Sequence, residues 1–207
     1  MVGLREAKME RTRRFIADTA FDLFVAQGYD DTTIEQIAAA AEVGTRTLYR
    51  YYSTKEALVV TFVENGLDAA MDAFLAQPDD TPLAGALHAV IDSVEHTISA
   101  NPARLLALYE IFDKTTGLRA GLADLCWSWR QRLAQEILRR EDGAGDVLFA
   151  ALTAASTMNV IEVIVQTWTV NGGHVDVADI VRAALELLHS KAIPVPLPPA
   201  GLVGSAS

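Results

Sequence analysis

The stretch that most constrains this chain runs from Thr32 to Leu58, TTIEQIAAAAEVGTRTLYRYYSTKEAL. Its apolar positions Ile34, Ile37, Ala38 and Ala41 recur at helical spacing, and Val43-Gly44 then breaks the run. The pattern predicts a short helix over about 33–40 and a second over about 44–50, carrying Thr45, Arg46, Thr47, Leu48, Tyr49, Arg50 and Tyr51. Thr32 with Glu35, and Ser53 with Glu56, have the spacing of capping boxes, so a further helix is expected from Thr54 or Lys55. Two short helices meeting steeply through a tight turn form a helix-turn-helix, whose second helix can lie in a DNA major groove. Leu48 would anchor that helix, leaving Arg, Thr and Tyr side chains on its other surface.

Elsewhere the periodicity is helical throughout. Helices fit 10–27, 54–76, 82–99, 102–114, 117–141, 146–171 and 176–191, separated by Pro, Gly and Asn signals. No prolines interrupt these segments, and no alternating Val, Ile and Thr runs argue for strands. The expected fold is all-α, with about nine helices. A chain of 207 residues, half of them hydrophobic, can bury a sizeable core. The helix from 54 to 76 would be about 35 Å long, enough to join a small head to a separate body. The expected division is a helix-turn-helix domain over 1–53 with a mobile arm at 1–9, a body over 54–193, and a disordered Pro-rich tail over 194–207.

One cysteine, Cys126, excludes an intrachain disulfide and suits a reducing compartment. The amino terminus lacks a signal-like apolar core, and no run of about 18 uninterrupted apolar residues argues for a membrane span. A cytoplasmic location is expected. The net charge of −10 divides unevenly: residues 1–55 hold eight basic and eight acidic side chains, and the remainder nine and 19. The acidity belongs to the body, so it does not oppose DNA binding by the head.

The turn, Thr-Leu-Tyr, the aromatic pair and Lys-Glu-x-Leu resemble the DNA-binding domain of the TetR family of bacterial transcription regulators. The preceding amphipathic segment, with Phe15, Ile16, Ala20, Leu23, Phe24 and Gly28-Tyr29, extends the resemblance over roughly 11–65. Beyond it, helix count and order are similar. The resemblance implies a homodimer on a palindromic double-stranded operator, a small-molecule effector, and the helix over 54–76 as the transmitter between them. It places Thr33, Tyr49, Tyr51 and Lys55 against phosphates, which set register rather than sequence choice. Thr45, Arg46 and Thr47, at the start of the second helix, are the candidates for reading bases, with Arg46 suited to guanine O6 and N7. Of Tyr51 and Tyr52, one belongs to the core, and Tyr52 is the better fit. The family often has a basic residue where this chain has Glu35. Arg11, Arg13 and Arg14 could add DNA contacts or form a solvated face.

The last two long helices, about 146–171 and 176–191, carry more apolar surface than one core needs. Val147, Leu148, Ala151, Leu152, Ala155, Met158, Ile161, Val165 and Trp168 lie on the first, and Ile180, Val181, Ala184, Leu185 and Leu188 on the second. Burial against a second copy is expected, with an ordinary intrachain core as the alternative. The middle helices supply possible pocket walls: Phe62, Phe74, Leu105, Tyr109, Phe112, Cys126, Trp127, Trp129, Met158 and Trp168, with Glu110, Asn159, Glu162 and Gln166 to orient a ligand. Each could equally be plain core. The effector implied is largely apolar or aromatic.

His88, Asp92 and His96 share one helix face, but the two histidines would lie about 12 Å apart along it, too far for one ion. No metal and no cofactor is expected. No Ser-His-Asp order, phosphate-binding Gly loop or Cys cluster points to an enzyme. The other readings are a helical binding protein whose helix-turn-helix is structural, and a regulator needing its ligand as co-repressor or activator.

Overall fold

A computed structural model describes residues 3–141, 146–190 and 193. Among them are nine helices and no strand: α1 Leu4–Gln27, α2 Ile34–Ala40, α3 Thr45–Tyr51, α4 Lys55–Leu75, α5 Leu83–Ala100, α6 Pro102–Lys114, α7 Thr116–Arg140, α8 Val147–Val170 and α9 Val177–His189. The connection over 142–145, between the helices expected at 117–141 and 146–171, and the tail from 194 lie outside the described residues.

Several boundaries differ from the sequence expectation, for local reasons. α1 starts at Leu4, so most of the arm expected over 1–9 is helix. Glu6 accepts a hydrogen bond from the Gly3 N–H, and Glu10 pairs one turn on with Arg14 at 2.9 Å. The cap of α2 is Thr33, not Thr32. Thr33 Oγ1 accepts from the Gln36 N–H while Gln36 Oε1 accepts from the Thr33 N–H, which leaves Glu35 exposed. Thr32 instead donates its hydroxyl to the Gly28 carbonyl. Likewise Thr54, not Ser53, caps α4 by accepting from the Ala57 N–H. Pro102 does open α6, but the Asn101 amide turns back to donate to the Thr97 carbonyl of α5.

Two apolar cores result. The first joins α1, α2, α3 and the start of α4 around Ile16, Phe21, Phe24, Ile37, Leu48, Tyr52, Leu58 and Val59, and continues into Leu108, Ile111, Phe112 and Leu118 of α6 and α7. The second lies among α4, α5, α7, α8 and α9, around Met71, Phe74, Val90, Trp129, Leu133, Met158 and Trp168. Leu48 is completely buried, which contributes about 2 kcal/mol toward fixing α3 against the head. Trp129 buries its ring and donates Nε1–H to the Leu67 carbonyl, locking α7 to α4. Arg140 ties the α4–α5 connection by donating to the carbonyls of Gln77, Pro78 and Thr81.

α8 is long and apolar enough to cross a membrane by length and composition, although no unbroken apolar run marks it. Here one face, with Ala150, Ala154, Met158, Ile161, Ile164 and Trp168, is buried in the body. Val147, Leu148, Leu152, Val163 and Val170 face outward.

Candidate DNA interface and effector cavity

The turn between α2 and α3 is built on one left-handed residue. Glu42 has φ 53°, and the Val43 N–H reaches the Ala38 carbonyl while the Glu42 N–H reaches that of Ala39. This is the Schellman ending of a helix, with Glu where glycine is usual. Gly44, expected to break the run, has ordinary extended angles and is the N-cap of α3.

With Leu48 inward, α3 presents Thr45, Arg46, Tyr49 and Arg50 to solvent, with Thr47 and Tyr51 half-buried. Arg46 forms no ion pair among the described residues. Tyr49 is 51% exposed, and the Arg50 guanidinium lies over the Tyr51 ring at 5.2 Å. Thr33 is exposed at the start of α2; its oxygen is used in the cap, while its hydroxyl proton is free to donate. Tyr52 is buried and donates its hydroxyl to the Arg13 carbonyl.

Lys55 is held within the protein. Its ammonium donates to the carbonyls of Tyr29 and Thr32, at 2.7 and 3.1 Å, and sits 4.0 Å from the centre of the Tyr29 ring. One of its three N–H bonds remains for another acceptor. Arg13 is also committed, to Glu64 at 3.1 Å and over the Tyr52 ring, and Arg14 pairs with Glu10. Of the three N-terminal arginines that could contact DNA or form a solvated face, Arg13 joins α1 to α4 and Arg14 pairs within α1. At the start of α4, Glu56 is held below the usual carboxylate range by its own backbone N–H, with the Thr54 hydroxyl helping.

A cavity of about 660 Å³ lies where α4, α5, α6, α7 and α8 converge. Phe62, Tyr109, Phe112, Met158 and Glu162 line it, as do Leu105, Cys126 and Gln166. Phe74 and Trp127 do not. Phe74 belongs to the C-terminal part of α4, buried in the body core under the Arg140 guanidinium. Trp127 is 57% exposed because α7 turns positions 119, 122, 126 and 130 toward the cavity, and 127 falls on another face. Trp129 and Trp168 are core, while Glu110 pairs with Lys114 on the surface and Asn159 is exposed.

Sequence reasoning missed Arg119 and Arg130, both in the cavity wall. The signal was available: Arg119, Leu122, Cys126 and Arg130 are spaced by three and four, one stripe of a helix. Burial pushes the Cys126 thiol up, Glu162 adds to this, and Arg130 opposes it.

The head and cavity share side chains. Phe62 packs its ring on Phe21 of α1, and Phe112 belongs both to the cavity wall and to the head's core. Arg104 of α6 reaches Asp18 and Asp22 of α1.

Residues 16–62 match the family model described as bacterial regulatory proteins, tetR family. The HTH-type transcriptional regulator TcmR of Streptomyces glaucescens is 35% identical over 149 residues, covering 67% of this chain and 64% of TcmR. The match thus spans just under two thirds of that relative's own length. The HTH-type transcriptional repressor LfrR of Mycolicibacterium smegmatis is 33% identical over 109 residues, 52% of this chain and 55% of LfrR. Among solved structures, the transcriptional regulator FadR from Bacillus subtilis, in complex with stearoyl-CoA, aligns with a TM-score of 0.61. It covers 84% of this chain and 96% of FadR at 20% identity, a likeness of fold. On its helix-turn-helix, its relatives and its helical order, this chain belongs to the TetR family of bacterial regulatory proteins.

Proposed function

We propose that this chain is a dimeric repressor of transcription, released from a palindromic operator by a largely apolar or aromatic small molecule. The observation that carries the reading is the outer surface of α3, where an exposed Arg46, with no ion pair among the described residues, stands among Thr45, Thr47 and Tyr49. Arg46 reads a guanine through two parallel N–H bonds, with Thr45 and Thr47 beside it. Thr33, Tyr49, Tyr51 and the remaining Lys55 N–H contact phosphates and fix register. LfrR is named a repressor, which supports that direction of control.

The outward apolar residues of α8, with Leu187 and Leu188 of α9, support dimerisation through these two helices. A two-fold pair places two recognition helices on successive major-groove faces, hence the palindrome. The cavity holds the effector. To release DNA, the effector must bind the non-DNA-binding arrangement more tightly, and DNA must weaken effector binding by the same factor. The protein acts in the cytoplasm, where its operator is.

The test is selection of genomic fragments by the purified protein, then affinity on the winner at two salt concentrations. A palindromic winner bound at nanomolar strength, weakening steeply with salt, is expected. Weak, sequence-blind binding both alone and with candidate effectors would reduce the helix-turn-helix to a packing element.

A further inference from the structure

Four charged side chains line the cavity: Asp113 of α6, Arg119 and Arg130 of α7, and Glu162 of α8. Their situations differ. Arg119 is committed to the end of α6, donating Nε–H to the Phe112 carbonyl at 3.0 Å and a terminal N–H to that of Asp113. The Asp113 carboxylate lies 4.0 Å from the same guanidinium. Glu162 is exposed, so water hydrates its charge. Arg130 is half-buried and forms no ion pair among the described residues.

A guanidinium cannot shed its proton to escape burial, so a half-buried Arg needs an anion or water. Around the cavity, the apolar side chains of Phe62, Leu105, Leu122, Met158 and Ile161 offer neither, and the carboxylates in the wall, Glu162 and Asp113, form no ion pair with Arg130. The flat fork of Arg130 suits a carboxylate, which it takes through two parallel N–H···O bonds.

We propose, resting on the reading of this cavity as the effector site, that the effector is an apolar molecule ending in one carboxylate. The carboxylate pairs with Arg130, and the apolar body lies against Phe62, Leu122 and Met158. Glu162, also in the wall, repels a second negative group, so the site selects monoacids over diacids of the same length.

The test uses the full-length protein and three probes of one chain length, dodecanoate, dodecanol and dodecylamine, below their micelle concentrations, with dodecanedioate as a fourth. Calorimetry should show dodecanoate binding about tenfold tighter than dodecanol, and dodecanedioate and dodecylamine binding no better than dodecanol. Arg130→Gln should abolish the preference for the acid while leaving dodecanol affinity within about twofold, which also shows the cavity intact. Arg130→Lys, keeping the charge without the fork, should retain part of the preference. Equal binding of acid and alcohol, tighter amine binding, or a preference that survives Arg130→Gln would overturn the carboxylate assignment alone. Tighter binding of the diacid than of the monoacid would overturn the role of Glu162. Failure of all the probes to bind wild-type protein would overturn the reading of the cavity, and this proposal with it.

Discussion

The rings of Phe62 and Phe21 lie 4.6 Å apart between centroids, tilted at 32°. Phe62 is in the cavity wall, and Phe21 is fully buried in the core of the head. A molecule displacing Phe62 therefore displaces a contact of α1, and the shift reaches the helix-turn-helix without passing along α4 alone. Phe62→Leu keeps an apolar side chain, somewhat smaller, but loses the ring contact. DNA affinity without effector should change little, while the effector's weakening of DNA binding should fall several-fold. DNA titrations of wild type and variant, with and without saturating effector, measure this; an unchanged effector response would remove Phe62 from the path.

Arg104 makes the second link, bridging Asp18 and Asp22 from α6. These aspartates are well exposed, so little global stability rides on the pair. Replacing both with Asn should leave thermal stability nearly unaltered and reduce effector response while preserving effector affinity. Loss of effector binding itself in that double variant would contradict a purely transmitting role.

On α3 the two kinds of contact separate by experiment. Arg46→Ala should cost about 1–3 kcal/mol on the preferred operator and relax choice at one base pair. Tyr49→Phe should weaken binding by a similar factor on every sequence, because a phosphate contact carries no base information. Comparing affinities on an operator and its single-base variants tells these apart. An unchanged base preference in the Arg46 variant would remove that side chain from readout.

Glu42 holds a left-handed conformation that costs a non-glycine residue about 1 kcal/mol. It is exposed, and α2 ends on the hydrogen bonds of its own and the next N–H. Glu42→Gly should therefore raise stability by about 0.5–1 kcal/mol, seen as a higher urea midpoint at unchanged slope. A lower midpoint would mean that the glutamate side chain contributes more than its backbone strain costs.

How much was legible in the chain follows from where each signal resides. Helix spacing and the Leu48 anchor are local, so the helix-turn-helix and its exposed Arg46 could be read directly. Capping was misplaced by one residue at Thr32-Thr33 and at Ser53-Thr54, because adjacent hydroxyls offer equal caps until the backbone angle chooses. The Glu42 turn was hidden because nothing but its angle marks it. The cavity was legible in composition but not in phase. Met158 and Glu162 are one turn apart and both line it, whereas Trp127 and Phe74, as aromatic as the lining Phe62 and Tyr109, face elsewhere. Lys55 illustrates the remaining gap: its contacts with the Tyr29 and Thr32 carbonyls depend on a loop 23 or more residues earlier, and no local pattern announces them.

The outward face of α8 carries the last prediction. Leu152 is 59% exposed and Val163 53%, on a helix whose opposite face is buried. Apolar side chains left in water on two neighbouring terminal helices gain about 25 cal/mol per Å² on being covered, and a second copy of the same face covers them symmetrically. Because neither residue supports the monomer's core, Leu152→Glu or Val163→Lys should leave helix content and unfolding intact while placing like charges across the two-fold axis. Sedimentation equilibrium at micromolar concentration should show a dimer for wild type and a monomer for either variant. Operator affinity should then fall toward the non-specific level, by about a thousandfold or more, since each half-site must be held alone. A wild-type monomer under those conditions would reject the dimer; a dimer persisting in both variants would move its interface off α8.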